Sequence, residues 1–427
     1  MVSIENLRNK KILVYGAGIS GLATIAKLQN KVKKLSLWDD SLASRQSAKK
    51  KFKVTLDQNF TTENYDFIVM SPGIDIYRHV YKKFFKKNFH KIITDIDIFT
   101  SSINLNKNKI ILITGTNGKS TFCKLLYDVL KSQNKHTHLL GNFGKPVLSH
   151  KENLYKNFYV LELSSYQIEY SKFLKSHVSA ILNITPDHLN RHKTFQNYVK
   201  IKLKIFDSLL PKGKGYVSED FLFLKKNIKN TTCKVKSLKN LSLKNYFLNK
   251  SNFLPSLSII YKILKFLNVS EKIIIKQFNC FEPLPHRQEF VRKINNISFI
   301  NDSKATNFES ANFSLQFYDN IFWIVGGLLK KNDIPHFLQA VQKKIKKVYL
   351  IGKQITILKR ILKNKFNMSI SKNINNAIKQ SFRDAKKMNL KYSTILLSPA
   401  AASFDQFKNF EHRGTIFKNL VNKIKNV

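Results

Sequence analysis

The 427-residue chain is 43% hydrophobic and carries 74 lysines and arginines against 27 acids, a formal net charge of +47 at pH 7. It is too long for one hydrophobic core and too apolar for a disordered polyelectrolyte, and its cations run along the whole chain without the stripe or tail of a specific nucleic-acid binder. No apolar run is long enough to span a membrane, the segment Met1–Lys10 lacks a secretory leader's pattern, and the scattered Cys123, Cys233 and Cys280 suit a reducing cytosol.

The first segment opens with an apolar strand, Lys11–Tyr15, a turn containing Gly16, Gly18 and Gly21, and a helix reaching Leu28. A second strand, Lys34–Trp38, ends in Asp39 and Asp40, and a third, Tyr65–Met70, leads to Gly73. Strand, glycine turn and helix make a Rossmann-like start, with Asp39 where an acid would meet a ribose. NAD, FAD or another nucleotide would suit the turn; the short span before the next segment favours a nucleotide-sugar.

After a polar linker at 101–108, strand Lys109–Ile113 runs into Gly115, Thr116, Asn117, Gly118, Lys119, Ser120 and Thr121, then into a helix reaching about Ser132. Successive backbone N–H groups at a helix start cradle phosphate oxygens, while a lysine reaches the terminal phosphates and hydroxyls serve phosphate or Mg²⁺. Ile113 stands where the usual loop has its first glycine, so Gly115 makes the turn. Strand Phe158–Leu161 ends at Glu162, and strand Val178–Leu182 leads to Asp187 and His188. An acid and an imidazole converging on a triphosphate suit Mg²⁺ ligation. Lys202 lies in Tyr198–Phe206, a basic helix that reads equally as a solvated face and where composition does not choose among the lysines. The stretch from about 212 to 250 has too little pattern to assign.

The third segment follows the break Glu282–Pro285. Its strands, Ile297–Ile300, Asn320–Val325, Lys347–Ile351 and Thr394–Leu397, end in polar or glycine-rich tips that include Asp302, Lys304 and Gly326-Gly327. With His286 and Arg287 they offer basic groups and an acid for nucleotide or carboxylate contacts. Chemically capable residues at strand ends are what parallel sheets with sites at their carboxyl edges require.

Together, Thr114–Thr121, Glu162–Gln167, Asp187-His188, His286–Glu289, Asn301–Asn307 and Leu397–Gly414 resemble the Mur ligase family, and most closely its D-glutamate-adding branch. The resemblance covers essentially the whole chain. It implies a three-domain α/β protein: a UDP-binding Rossmann-like domain (1–100), a central P-loop ATPase-like domain with a mostly parallel sheet (101–285), and an amino-acid-binding domain (286–427). It implies a cytoplasmic, monomeric ligase that uses ATP to join D-glutamate to UDP-N-acetylmuramoyl-L-alanine through an acyl phosphate. Lys119 and Ser120 would serve the phosphates, and Asn249, Asn252, Arg287 and Asp302 would hold ATP. Two Mg²⁺ ions would involve Ser120, Glu162, His188 and a carbamylated Lys202. Ile19, Ser20, Asp39, Asp40, Gly73 and Asn142 would bind the UDP-sugar. His188, Lys304, Thr306, Lys330, Ser403 and Phe410 would receive D-glutamate. The chain departs from the family pattern at Leu248–Ser256, at Asp40, at Lys331, and at Ala401, where cysteine is usual. A related ligase with another amino acid, a NAD-dependent oxidoreductase and a non-catalytic nucleotide-binding module are the rival readings. The last two leave the phosphate loop or the retained Lys119, Glu162, His188 and Lys202 without a purpose.

Overall fold

The computed structural model describes residues 2–133, 136–151, 153–218, 232–235, 243–244, 248, 254–329 and 338–425. The chain divides into two compact units, Met1–Phe281 and Glu282–Val427.

The first unit holds two parallel sheets. One comprises β1 (Lys11–Tyr15), β2 (Lys34–Trp38), β3 (Thr55–Leu56), β4 (Phe67–Met70) and β5 (Ile92–Ile93), in the order β3-β2-β1-β4-β5. The other comprises β6 (Lys109–Thr114), β7 (His136–Gly141), β8 (Asn157–Glu162), β9 (Ser176–Ile181), β10 (Leu209–Ser218) and β11 (Thr232–Val235), in the order β11-β10-β9-β6-β8-β7. β10 and β11 fall in or beside the stretch that the sequence pattern left unassigned.

Strands buried on both faces need continuous apolar runs, and β6 (Lys-Ile-Ile-Leu-Ile-Thr) has one, buried from Ile110 to Thr114. The order reverses between β1 and β4 in one sheet and between β6 and β9 in the other, which opens a crevice at those carboxyl ends.

The two sheets share one apolar core, from Ile12 and Val14 to Ile110 and Leu112. Asp97 pins the junction. It lies in the helix Asp95–Ser102, capped by Thr94, and is fully buried. Its carboxylate accepts N–H bonds from Lys172 at 3.0 Å and Phe173 at 2.7 Å, so burial raises its pKa only against several opposing hydrogen bonds.

The second unit is one sheet, β12 (Glu289–Ile294), β13 (Ile297–Asn301), β14 (Ile321–Gly326), β15 (Ile345–Ile351), β16 (Met368–Lys372) and β17 (Ser393–Leu397). Its order is β12-β13-β17-β14-β15-β16, with only β12 antiparallel. Apolar clusters cover both faces, one around Trp323 and one around Phe322 and Tyr349. The mixed α/β architecture with parallel sheets agrees with the fold class read from the sequence. Among the described residues, no helix is long and apolar enough to cross a membrane.

Candidate active site

At the crevice of the first sheet, Gly16 has φ +106°, and a Cβ there would lie 2.5 Å from Ser71 Oγ; a Cβ on Gly21 would lie 1.8 Å from Gly16 O. Both positions require glycine, one for the turn and one for close packing of helix on strand. Ile19 is 79% exposed at the helix start, followed by Ser20; Gly73 follows β4 with open space around it. Both carboxylate oxygens of Asp39 are engaged by this edge's own backbone, accepting from Ala17 N at 2.7 Å and Ser41 N at 2.8 Å. Asp39, placed by the sequence where an acid would meet a ribose, thus also shapes the turn itself. Asp40 accepts from Tyr15 Oη at 2.9 Å and pairs with His79 Nε2 at 2.8 Å. Burial raises its pKa, but the hydrogen bonds of His79 and Tyr15 outweigh this and hold it below the usual carboxylate range.

In the second sheet the phosphate loop joins β6 to the helix Lys119–Ser132, with Gly118 left-handed at φ 74° as its N-cap. The loop is held from the neighbouring strand end. Asn183 Oδ1 accepts from the N–H groups of Thr116 (3.0 Å) and Asn117 (2.8 Å), and its Nδ2 donates to Asn117 O at 2.9 Å. Thr116 Oγ1 lies 3.1 Å from Tyr198 Oη. Lys119 Nζ donates to Gly115 O (2.8 Å) and Thr116 O (2.7 Å). Ser120 and Thr121 are buried in the helix's first turn.

Lys202 is 1% exposed. Its Nζ donates to the same Gly115 O at 2.8 Å and to Thr114 Oγ1 at 3.1 Å. Burial, reinforced by the charge of Lys119, drives its ammonium well below the ordinary lysine range, against the opposing pull of Asp187 and Glu162. Lys200 and Lys204 are exposed, so the structure selects the one lysine that composition did not.

Glu162, at the end of β8, is 1% exposed; its Oε1 accepts from Asn142 Nδ2 at 2.7 Å, and its Oε2 has no partner among the described residues. His188 is left-handed (φ 54°); its Nδ1 lies 2.8 Å from Tyr166 Oη and its Nε2 3.3 Å from Asp187 Oδ2. Lys119, Ser120, Glu162, His188, Lys202 and Asn142 thus converge on the carboxyl edge of one sheet.

In the second unit, Asp302 follows β13, buried, and accepts from Ser398 Oγ (2.8 Å), Ser314 Oγ and Gln288 N. Burial pushes its carboxyl up to about 7, with the hydrogen bonds and Arg287 opposing. Lys304 Nζ sits 3.8 Å from the centre of the Phe410 ring. Thr306 is half-buried, and Ser403 is buried in the turn after β17. Asn249, Asn252 and Lys330 lie outside the described residues.

Residues 113–270 match the Mur ligase middle domain. The UDP-N-acetylmuramoylalanine–D-glutamate ligase of Rickettsia felis is 35% identical over 96% of each chain, and that of Bartonella henselae 31% identical over 100% of each. The chain belongs to the Mur ligase family. Solved structures with similar folds include the UDP-N-acetylmuramate-alanine ligase MurC of Thermotoga maritima (TM-score 0.59, 14% identity, 98% of this chain and 100% of that one). MurF ligase of the same organism, solved with ADP, gives a TM-score of 0.56 at 13% identity, over 99% of this chain and 97% of that one.

As a Mur ligase the protein is an ATP-dependent enzyme. Among the described residues no group of three or more His, Cys, Asp or Glu side chains is arranged to hold a metal. Mg²⁺ does not need one, because it keeps several waters and binds through one or two carboxylates plus substrate phosphates. The buried, unpartnered Glu162 Oε2 beside the hydroxyl-bearing helix start fits that demand.

Three residues of this Mur ligase escaped the sequence reading. Asn183 lay in view as the residue ending β9's apolar run. Tyr166 and Arg191 stood in or near recognisable motifs; Arg191 pairs with Glu169 at 3.0 Å and reaches Asp75, in the turn region after β4, at 4.0 Å. Ala401, the departure from cysteine, is fully buried, and its Cβ would be 3.2 Å from a Cβ on Gly327.

Proposed function

We propose that this Mur ligase joins the amine of D-glutamate to the L-alanyl carboxylate of UDP-N-acetylmuramoyl-L-alanine, converting ATP to ADP and phosphate, as a cytoplasmic step of peptidoglycan precursor synthesis. The observation that carries the reading is the convergence of Lys119 and Lys202 on Gly115 O, at 2.8 Å each, beside the buried Glu162. The full-length likeness to ligases named for D-glutamate supports the choice of amino acid.

A carboxylate is a poor acylating agent, so it is first phosphorylated. Its oxygen attacks the γ-phosphorus, ADP departs, and the amine then attacks the acyl carbon. The tetrahedral adduct loses phosphate and the nitrogen a proton, leaving the amide. Lys119 stabilises charge on the transferring phosphoryl oxygens, and the loop N–H groups orient the triphosphate. Glu162, Ser120 and His188 would hold Mg²⁺, which would supply further charge neutralisation when bound.

Lys202 reacts with CO₂ as a neutral amine: its lone pair forms an N–C bond and a proton leaves, turning a buried cation into a carbamate anion able to help hold a second Mg²⁺. The low ammonium pKa supports this, since only the free amine is nucleophilic. In this reading Ile19, Ser20, Asp39, Asp40, Gly73 and Asn142 form the UDP-sugar side, and Arg287, Asp302, Asn249 and Asn252 the ATP side. Lys304, Thr306, Lys330, Ser403 and Phe410 receive the amino acid, and the protein acts as a monomer.

The test is phosphate release by the purified protein with UDP-N-acetylmuramoyl-L-alanine, Mg-ATP and a panel of D- and L-amino acids. Release should require D-glutamate; release with L-alanine or a diamino acid in its place overturns the assignment.

A further inference from the structure

Arg413 is the largest charged side chain fully buried in the second unit, at 0% exposure in the helix Phe410–Asn422. Its described hydrogen bonds all end on neutral oxygens. Nε donates to Ser303 Oγ (2.9 Å), Nη2 to Ser303 O (2.7 Å), and Nη1 to Ala401 O (3.0 Å) and Gly326 O (3.5 Å). Ser303 Oγ in turn donates to Phe410 O at 2.8 Å.

A buried guanidinium is costly, and hydrogen bonds to neutral oxygens, with Asp405 and Asp302 acting on it only as charges, do not offset that cost as a direct ion pair would. What this one achieves is geometric. Its planar fork reaches the ends of β13, β14 and β17 together, and through Ser303 the first turn of its own helix. Ser303 directly precedes Lys304, and Ala401 lies two residues before Ser403. Phe410 is the ring against which Lys304 Nζ rests. One side chain therefore sets the mutual register of the segments that carry Lys304, Thr306, Ser403 and Phe410. Burial lowers its pKa to about 10, with the charges of Asp405 and Asp302 opposing, so it stays charged at neutral pH.

We propose that Arg413 is the positioning residue of the amino-acid site, fixing the segments after β13 and β17 and the end of β14 in the geometry that receives the amino acid. The proposal rests on the reading that these loops receive D-glutamate.

Steady-state kinetics of the full-length R413K and S303A variants test it. R413K keeps the charge but loses the fork, and should raise KM for D-glutamate roughly tenfold while KM for ATP stays within about twofold. S303A removes only the Nε acceptor and the link to Phe410, and should raise the same KM by about threefold. A purely structural role would lower melting temperature and kcat with KM for D-glutamate unchanged in both variants, and that result overturns the proposal. S303A alone decides if R413K does not fold. If the wild-type protein uses a different amino acid, the assigned substrate fails; the same KM split with that amino acid upholds Arg413, and its absence overturns Arg413 as well.

Discussion

At the scale of single residues, the chemistry turns on two amines sharing one carbonyl. Lys119 and Lys202 both donate to Gly115 O, and only Lys202 is sealed from solvent. Burial, and then the nearby charge of Lys119, both disfavour the ammonium form of Lys202 and lower its pKa. Replacing Lys202 by alanine should lower kcat by about 10²- to 10³-fold, because charge stabilisation at the transferring phosphoryl is lost. Acetate or propionate should then restore part of the rate by placing a carboxylate where the carbamate stood. Full activity of the unrescued K202A protein sinks the carbamate role. Lys119, Glu162 and His188 were recognisable in the sequence because Lys119 follows a glycine, Glu162 ends a strand, and His188 lies in the polar segment after one. Asn183 and Arg413 were not, because their partners are mostly backbone atoms distant in the chain: Asn183 holds a loop 66 residues away, and Arg413 the carbonyl of a serine 110 residues away. Residue type alone carries no trace of such partners.

Elements obey the same division. The strands that became legible, such as β6 and β14, are buried on both faces and therefore continuously apolar. β12, Glu289–Ile294, escaped because it is an antiparallel edge strand with a largely polar, half-exposed sequence. Lys202's own helix, Phe195–Leu203, was legible as a basic helix despite its alternating Lys-Ile-Lys-Leu-Lys run, but which lysine it buries was not. The helix Phe410–Asn422 shows packing overriding propensity. Gly414 sits inside it, where alanine would be preferred by up to about 1 kcal/mol. Yet a Cβ at Gly414 would lie 2.2 Å from His286 Nδ1, and His286 is itself held by Asn301 Nδ2 at 2.9 Å. The ring cannot retreat without breaking that bond. Gly414→Ala should therefore destabilise, by about 1–3 kcal/mol, despite the gain in propensity. Thermal unfolding would show a melting temperature several degrees lower, with part of the loss recovered in the H286A/G414A double variant. An unchanged or higher melting temperature for G414A would mean that the helix has room the contacts deny.

For the whole molecule, the governing quantity is the charge of +47, which neither the fold nor the site requires. Some of its ion pairs, such as Lys10–Asp66 and Lys265–Glu271, are exposed at both partners. Such pairs add little stability, so the surplus cations mainly repel one another and weaken the compact state. The same surplus attracts polyanionic substrates, and the proposed ones, ATP and a UDP-sugar, both carry phosphates. Opposite salt dependences follow. Raising NaCl from about 0.05 to 0.5 M shortens the Debye length from roughly 14 to 4 Å, which screens both effects. The melting temperature should rise over that range as self-repulsion is damped. The KM for ATP should rise several-fold, by about three- to tenfold, as steering and surface attraction fade, while kcat stays within about twofold because Lys119 acts at hydrogen-bond range. Measuring unfolding and kinetics on one salt series separates the two. A KM for ATP that does not respond to salt would show that the surplus charge takes no part in collecting substrate, and that only its destabilising effect remains.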